Sequence, residues 1–220
     1  MLSLPDGIRH LPAYFDGAEQ QALVEDIRAV VAAAPLYTPA MPRSGKEMSV
    51  RMTNCGALGW VTDKERGYRY QPTHPVTGKP WPAIPERLLS VWRQVAGDPQ
   101  EPQACLVNFY DAAAKMGLHQ DRDEEDFSAP VVSISLGDAC LFRVGGTKRN
   151  MPTTSFRLES VGRCRWRTKG HARPALHRPG GGPRPPEPLL RSASAGRLHR
   201  AGPSPSASEL PAHCLPEAGR

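Results

Sequence analysis

The chain has 220 residues, a formal net charge of +6 and a hydrophobic fraction of 39%, which suits one domain with a substantial core. It has no run of about eighteen apolar residues, and its first residues lack the basic-then-apolar order of a signal peptide. The five cysteines never stand in C-x-x-C spacing, which disfavours a disulfide framework or a zinc finger and favours a reducing compartment. We therefore expect a cytoplasmic protein without a membrane partner.

Two amphipathic helices are predicted in the first half of the chain, at residues 18–34 and 86–96, because their apolar residues recur with helical spacing. The apolar stripes are Leu23, Ile27, Val30 and Val31 in the first segment, and Leu88, Leu89, Trp92 and Val95 in the second. Between these helices, residues 36–85 contain too many prolines and turn residues for a regular helix.

Short strands are predicted from residue 104 onward, in three apolar runs that turn residues separate. The runs are ACLVNFY (104–110), VVSISLG (131–137) and ACLFRVGG (139–146). Two helices followed by a series of strands indicate an α+β fold in which the helices support a β-sandwich or barrel.

The last 60 residues differ in composition from the rest of the chain: 36 of them are Gly, Pro, Arg or Ala. Residues 161–220 contain ten Arg and one Lys against three Glu, about +8, whereas the first 160 residues contain 17 basic and 19 acidic groups, about −2. This composition predicts a disordered basic tail. The positive charge therefore does not by itself indicate a folded nucleic-acid-binding domain.

The stretch LHQDRDEEDF (118–127) contains candidate metal ligands. On a strand, His119 and Asp121 would project from one face and could reach the same ion. A histidine, a carboxylate and a distant second histidine form the facial triad of non-haem Fe(II) oxygenases. The spacing alone is a weak signal, because a chain with seven histidines often contains H-x-D by chance. A histidine in a solvated acidic loop is the alternative.

Two longer segments resemble the AlkB family of Fe(II)/2-oxoglutarate-dependent dioxygenases, namely MTNCGALGWVTDKERGYRYQPTHPVTGKPWPAIP (52–85) and NFYDAAAKMGLHQDRDEEDFSAPVVSISLGDACLFRVGGTKRN (108–150). The resemblance covers about residues 10–160 and implies a double-stranded β-helix (jelly-roll) core. It implies a division into N-terminal helical support (1–50), a nucleotide-recognition lid (51–85), a dioxygenase core (86–160) and the irregular tail (161–220).

The resemblance also implies roles for individual residues. His119 and Asp121 match two iron ligands, and the segment that binds 2-oxoglutarate matches Asn108, Phe109 and Tyr110. The substrate site matches Trp60, Tyr68, Arg69, Tyr70, Asp123 and Arg149. Without the family, these aromatic residues would be core or turn residues, and the charged ones would be ordinary surface groups.

The implied activity is oxidative demethylation of 1-methyladenine and 3-methylcytosine in single- or double-stranded DNA, or in RNA, by a monomeric enzyme that uses Fe(2+), 2-oxoglutarate and O2. One alternative is a catalytically inactive nucleic-acid-binding module. Another is a hydroxylase of a different substrate class, which Trp60, Tyr68 and Asp123 disfavour because together they match a base-binding set.

The family pattern breaks after Ser160. A third iron ligand is expected near position 175, and a final strand should supply two arginines that clamp 2-oxoglutarate. The nearest histidines are His177 and His171, of which we take His177 as the candidate ligand.

An Arg/Pro/Ala/Gly-rich composition, like that of residues 161–220, is also what a GC-rich gene yields when it is read out of frame. Residues 161–166 and 207–210 can encode Ser-Gly-Asp-Val-Val and Arg-Val-Asn-Phe in one displaced frame. We hypothesise that residues 161–220 are out-of-frame sequence. The hypothesis would be contradicted if no displaced reading frame of the gene encoded the missing histidine and arginines.

Overall fold

The structure is a computed structural model. It describes Leu4, residues 7–111, 113–119, 129–145 and 150–158, and the backbone of three further strands at 163–167, 175–177 and 193–199.

Two helices form where the apolar spacing predicts them: α1 spans Gly17–Ala33 and α2 spans Glu86–Val95. A reciprocal capping box begins α1, because the Glu19 backbone N–H donates to the Asp16 carboxylate (2.8 Å) and the Asp16 N–H donates to the Glu19 carboxylate (2.9 Å). The residues that the helices bury are Leu23, Ile27 and Val30 in α1, and Leu88, Val91 and Trp92 in α2. The predicted stripe of α2 is thus rotated slightly, with Val91 buried in place of Leu89.

Eleven strands are present in the described part of the chain. In chain order they are β1 (Ile8–Leu11), β2 (Arg51–Gly56), β3 (Gly59–Asp63), β4 (Gly67–Gln71), β5 (Ala104–Phe109), β6 (Pro130–Leu136), β7 (Cys140–Gly145), β8 (Thr153–Leu158), β9 (Arg163–Arg167), β10 (Ala175–His177) and β11 (Ala193–His199). β5, β6 and β7 confirm the three predicted strands, and together with the two helices they confirm the α+β class.

The strands form a six-stranded sheet in the order β1-β9-β6-β11-β5-β2, a three-stranded sheet β10-β7-β8, and the hairpin β3–β4. All strand pairings are antiparallel. One face of the six-stranded sheet packs on the helices through a core that contains Leu23, Ile27, Trp92, Cys105, Val107, Val132 and Ile134. On β6, Val131 instead packs with Phe142, Val144 and Phe156 of the three-stranded sheet.

Side chains along β5 alternate between its two faces, and only the face that is not packed on the helices can contribute to a site. Cys105 and Val107 belong to the core under the helices. Leu106 and Tyr110 belong to a separate cluster, and Asn108 shares their face because side chains alternate along a strand. The face of β5 that turns away from the helices thus carries Asn108 and Tyr110.

The segment after residue 160 differs from its prediction, because β9, β10 and β11 come from it. β9 pairs with β1 and β6, and β11 lies between β5 and β6. Local composition could not predict these strands, because strand formation depends on pairing with neighbours more than on intrinsic propensity. Buried backbone groups of β5 and β6 require partners, and these segments supply them. No helix in the described residues is long and apolar enough to span a membrane.

Candidate active site

The predicted 2-oxoglutarate residues lie at the end of β5. Asn108 is 4% exposed, and its Oδ1 has no hydrogen-bond partner among the described residues. A buried amide oxygen without a partner costs free energy, so this position suits a polar ligand. Tyr110 is also buried. Phe109 differs from both, because it projects from the other face of β5 and the Arg51 guanidinium lies 4.6 Å from its ring centroid.

One apolar cluster connects the end of β5 to the lid. Val50, Met52, Leu106, Tyr110 and Ala114 form its buried part, and Tyr37, Met48, Trp60 and Met116 pack against it. The Tyr110 hydroxyl donates to the Met116 sulfur (3.7 Å). Tyr110, predicted to contact 2-oxoglutarate, and Trp60, predicted to stack on the substrate base, therefore belong to one packed unit.

The loop that leads from β5 to His119 is fixed at two points. The Asp111 carboxylate accepts hydrogen bonds from the backbone N–H groups of Ala113 (3.0 Å) and Ala114 (2.9 Å). Further on, the Ser49 hydroxyl accepts from the Lys115 N–H (3.1 Å) and donates to the Lys115 carbonyl (2.9 Å). Ser49 thereby ties this loop to the segment that precedes β2.

His119 lies in this loop and not on a strand, so the strand geometry expected for the H-x-D spacing is wrong for His119. Its orientation nevertheless suits a ligand. The Nδ1 atom lies 2.8 Å from the Gly117 carbonyl oxygen, and because a carbonyl can only accept, Nδ1 carries the proton. A histidine whose Nδ1–H donates to a backbone carbonyl, with Nε2 as the ligand atom, is the usual arrangement at a metal site.

The other two predicted iron ligands are Asp121 and His177. Asp121 lies outside the described residues. His177 pairs by its backbone with Leu141 of β7 at the edge of the three-stranded sheet. Among the described residues no group of three His, Cys, Asp or Glu side chains is close enough to hold a metal ion. His119 is therefore the one predicted iron ligand whose side chain the structure describes, and its role as a ligand stays a prediction.

The predicted substrate aromatics share one face of the β3–β4 hairpin. Trp60 pairs with Tyr70, and Thr62 pairs with Tyr68, so alternation places Trp60, Tyr68 and Tyr70 together. The Trp60 and Tyr68 rings are stacked, with centroids 5.5 Å apart and an interplanar angle of 26°. Tyr68 is 42% exposed, so the hairpin presents an aromatic surface.

Arg69 lies on the opposite face of the hairpin. Its guanidinium donates to the Asp63 carboxylate (2.6 Å), to the Gln71 side-chain oxygen (3.0 Å) and to the Gly67 carbonyl (3.1 Å). The Arg66 backbone N–H and the Arg69 side chain lower the pKa of Asp63 below its usual value. Arg69 is thus engaged within the hairpin, away from the three aromatic residues. Asp123 and Arg149 lie outside the described residues.

Two residues near the site were not predicted from the sequence. Ser49 fixes the loop that carries His119, and Asn54 binds the backbone of Trp60 with both atoms of its side-chain amide, each at 3.0 Å. Each side chain forms hydrogen bonds with a backbone segment that comes close to it only in the folded protein. Their sequence positions, in MSVR and MTNCG, give no local signal of this contact.

Comparison with known proteins agrees with this arrangement. Residues 7–175 match the family described as the 2OG-Fe(II) oxygenase superfamily. An alpha-ketoglutarate-dependent dioxygenase AlkB homolog of Caulobacter vibrioides is 49% identical over 177 residues, 80% of this chain and 78% of the relative. The Escherichia coli protein named AlkB is 46% identical over 149 residues, 66% of this chain and 67% of the relative.

Comparison with solved structures also places the protein among oxygenases of this kind. The solved structure of OsALKBH1 superimposes with a TM-score of 0.68 at 26% identity, and the match covers 90% of this chain and 99% of that one. This likeness confirms the predicted jelly-roll fold. More distant relatives are named DNA N(6)-methyladenine demethylase in Arabidopsis thaliana (31% identical over 47% of this chain and 28% of the relative) and tRNA demethylase in Schizosaccharomyces pombe (29% identical over 47% and 35%).

Proposed function

Because this chain belongs to the AlkB family of Fe(II)/2-oxoglutarate-dependent dioxygenases, we propose that it removes methyl groups from 1-methyladenine and 3-methylcytosine in nucleic acid. The family membership makes the protein an enzyme that uses Fe(2+), 2-oxoglutarate and O2. The proposal adds the substrate. Relatives named for DNA and for tRNA substrates support nucleic acid as the substrate class.

The observation that carries this proposal is the shared cluster of Trp60 and Tyr110. It connects an aromatic surface that suits a nucleobase to the strand end that suits 2-oxoglutarate. Stacking of a base on an aromatic side chain contributes about 1–3 kcal/mol and tolerates different bases. A base methylated on its pairing edge also costs less to extrude from a duplex than a paired one. A methylated base would therefore reach Trp60 at a lower cost in free energy than a normally paired base.

The overall reaction converts the methylated base, 2-oxoglutarate and O2 into the unmodified base, formaldehyde, succinate and CO2. Bound iron and 2-oxoglutarate supply the oxidising chemistry that hydroxylates the methyl carbon. His119 and Asp121 would hold the iron with a second histidine, for which His177 is our candidate. Asn108 and Tyr110 would bind 2-oxoglutarate, and the Asp123 carboxylate would favour a methylated base that carries positive charge.

The test is formaldehyde release from a single-stranded oligonucleotide that contains one 1-methyladenine or 3-methylcytosine. We expect release that requires 2-oxoglutarate and that His119→Ala abolishes. A matched oligonucleotide without the methyl group should give none. Tight binding of the methylated strand without formaldehyde release would contradict the proposal and favour the inactive binding module. His177→Ala and His171→Ala, compared in the same assay, identify the second histidine.

A further inference from the structure

The backbone of Trp60 is hydrogen-bonded to the side chain of Asn54, in the way that it would be bonded to the backbone of a neighbouring strand in a sheet. β2 is the last strand of the six-stranded sheet and pairs with β5 through Asn54 and Leu106, whereas β3 belongs to the separate hairpin. Asn54 connects the two. The Trp60 N–H donates to the Asn54 Oδ1 (3.0 Å), and the Asn54 Nδ2 donates to the Trp60 carbonyl (3.0 Å).

This pair of hydrogen bonds reproduces what a peptide group does in an antiparallel ladder, where one residue exchanges both N–H and C=O bonds with its partner. A carboxamide can do this because it has a donor and an acceptor on one planar group. The partners fix its orientation, since an N–H must meet Oδ1 and a carbonyl must meet Nδ2. Asn54 is fully buried, so water cannot easily replace either bond.

Two neighbours complete the enclosure of this backbone. The Tyr37 hydroxyl also donates to the Trp60 carbonyl (3.3 Å). At Gly59, an added Cβ would lie 2.5 Å from the Trp81 ring and 2.8 Å from the Asn54 Cβ. The strand that carries Trp60 therefore passes closely between Asn54 and Trp81, which leaves its backbone little freedom to move.

We propose that Asn54 is a positioning residue for nucleic-acid substrate, because it fixes the place and tilt of the Trp60 ring without touching the base. This inference rests on the proposed function, in which Trp60 stacks on the methylated base. Since Asn54 acts through Trp60, its loss should weaken substrate binding and leave the iron and 2-oxoglutarate sites unchanged.

The test compares Asn54→Ser with Thr53→Val in the full chain. Thr53 is the matched control, because it is the adjacent residue, is equally buried and loses one buried hydrogen bond, from its hydroxyl to the Ala34 carbonyl (2.8 Å). We expect Asn54→Ser to raise the KM for a methylated oligonucleotide about tenfold, which corresponds to roughly 1.4 kcal/mol. The KM for 2-oxoglutarate should stay within about twofold of its original value in both variants. Should Asn54→Ser unfold, Asn54→Asp retains the acceptor for the Trp60 N–H and is measured instead.

A double-mutant comparison separates this inference from the function on which it rests. If Asn54 acts through Trp60, then in a Trp60→Ala background the change Asn54→Ser should raise the KM by less than about twofold. A second tenfold increase there would overturn the inference, as would an unchanged KM for Asn54→Ser alone. If Trp60→Ala itself leaves the KM unchanged, the proposed role of Trp60 is wrong and the inference falls with it. In the substrate-free protein, hydrogen exchange of the Trp60 amide should be faster in Asn54→Ser than in Thr53→Val.

Discussion

At the scale of single residues, the candidate site depends on hydrogen bonds between side chains and backbone. The Gly117 carbonyl selects the tautomer of His119, and the Ser49 hydroxyl binds both polar backbone groups of Lys115. Neither residue is predicted to touch iron or substrate. Groups behind a metal ligand nevertheless affect metal affinity strongly, because they set the ligand's direction and protonation.

Ser49→Ala should therefore weaken metal binding. The substitution leaves the N–H and the carbonyl of Lys115 without their protein partner, so the loop ending at His119 loses an anchor. These bonds are solvent-accessible and contribute about 0.5–1 kcal/mol each, so we expect an affinity for Mn(II) that is weaker by roughly five- to thirtyfold, measured by calorimetric titration with 2-oxoglutarate present. Ser49→Thr, which keeps the hydroxyl, should restore it.

Ser44→Ala is the matched control for this prediction. The Ser44 hydroxyl accepts one bond, from the Lys46 N–H (3.3 Å), within its own turn. It should leave Mn(II) affinity unchanged. Equal affinities for Ser44→Ala and Ser49→Ala would show that the link to Lys115 does not position His119.

At the scale of elements, the β3–β4 hairpin has a polar face that stabilises it and an aromatic face that contains Trp60, Tyr68 and Tyr70. Asp63 and Arg69 connect its two strands on the polar face. The pKa of Asp63 is lowered, first by the Arg66 backbone N–H and then by Arg69. A lowered folded-state pKa stabilises the protein above the unfolded value of 3.8, and this stabilisation is lost as the pH falls through the folded value.

Asp63→Asn should accordingly lower the Tm by about 1–2 °C at neutral pH, because the ion pair is partly exposed and its contribution is small. The difference between the two proteins should persist down to about pH 5 and shrink below pH 4, as the Asp63 carboxylate becomes protonated. Thermal unfolding followed by circular dichroism at several pH values measures it. Glu65→Gln removes a charge from the same turn and should show no such loss below pH 4; the same pH profile for both variants would contradict a specific role for Asp63.

The elements differ in how far the sequence could predict them. α1 and α2 have apolar residues at helical spacing, such as Leu23 and Ile27, and β5 to β7 are short apolar runs bounded by turn residues, so the local pattern was sufficient to predict them. β3 and β4 lie among turn residues, and β9 to β11 lie in a Gly- and Pro-rich segment. These strands form because another strand needs their backbone groups.

The site divides in the same way. Family motifs predict site roles for Asn108, Tyr110, His119 and Trp60, and the structure places Tyr110 and Trp60 in one cluster. The motifs also included Phe109 and Arg69, whose side chains project from the opposite faces of their strands. The face from which a side chain projects becomes known only with the structure of the strand. The roles of Asn54 and Ser49 could be recognised only in the folded structure. Asn54 binds the backbone of a residue on another strand, and Ser49 binds the backbone of a residue far away in the sequence.

At the scale of the whole molecule, charge and fold are distributed unequally. The first 160 residues are close to neutral, with 17 basic and 19 acidic groups, whereas residues 161–220 carry about +8. Lesion recognition on Trp60 and general attraction to phosphate should therefore be separable. Attraction to phosphate weakens with salt because binding releases counterions, with a slope of about −0.7 per neutralised phosphate on a single strand.

Neutralising Arg184 and Arg191 should flatten the salt dependence of binding to unmethylated single-stranded DNA. If both arginines neutralise phosphates, replacing them with Gln should reduce the steepness of log K against log [KCl] by about 1.4, measured by fluorescence anisotropy between about 50 and 300 mM KCl. Arg28→Gln with Arg87→Gln removes the same charge from the helices, where Arg87 pairs with Asp26 at 2.9 Å, and should leave the slope unchanged. Because none of these four arginines belongs to the proposed base-binding set, neither pair should alter the ratio of affinities for methylated and unmethylated strands. An equal reduction by both pairs would mean that net charge, and not the basic segment, attracts the strand.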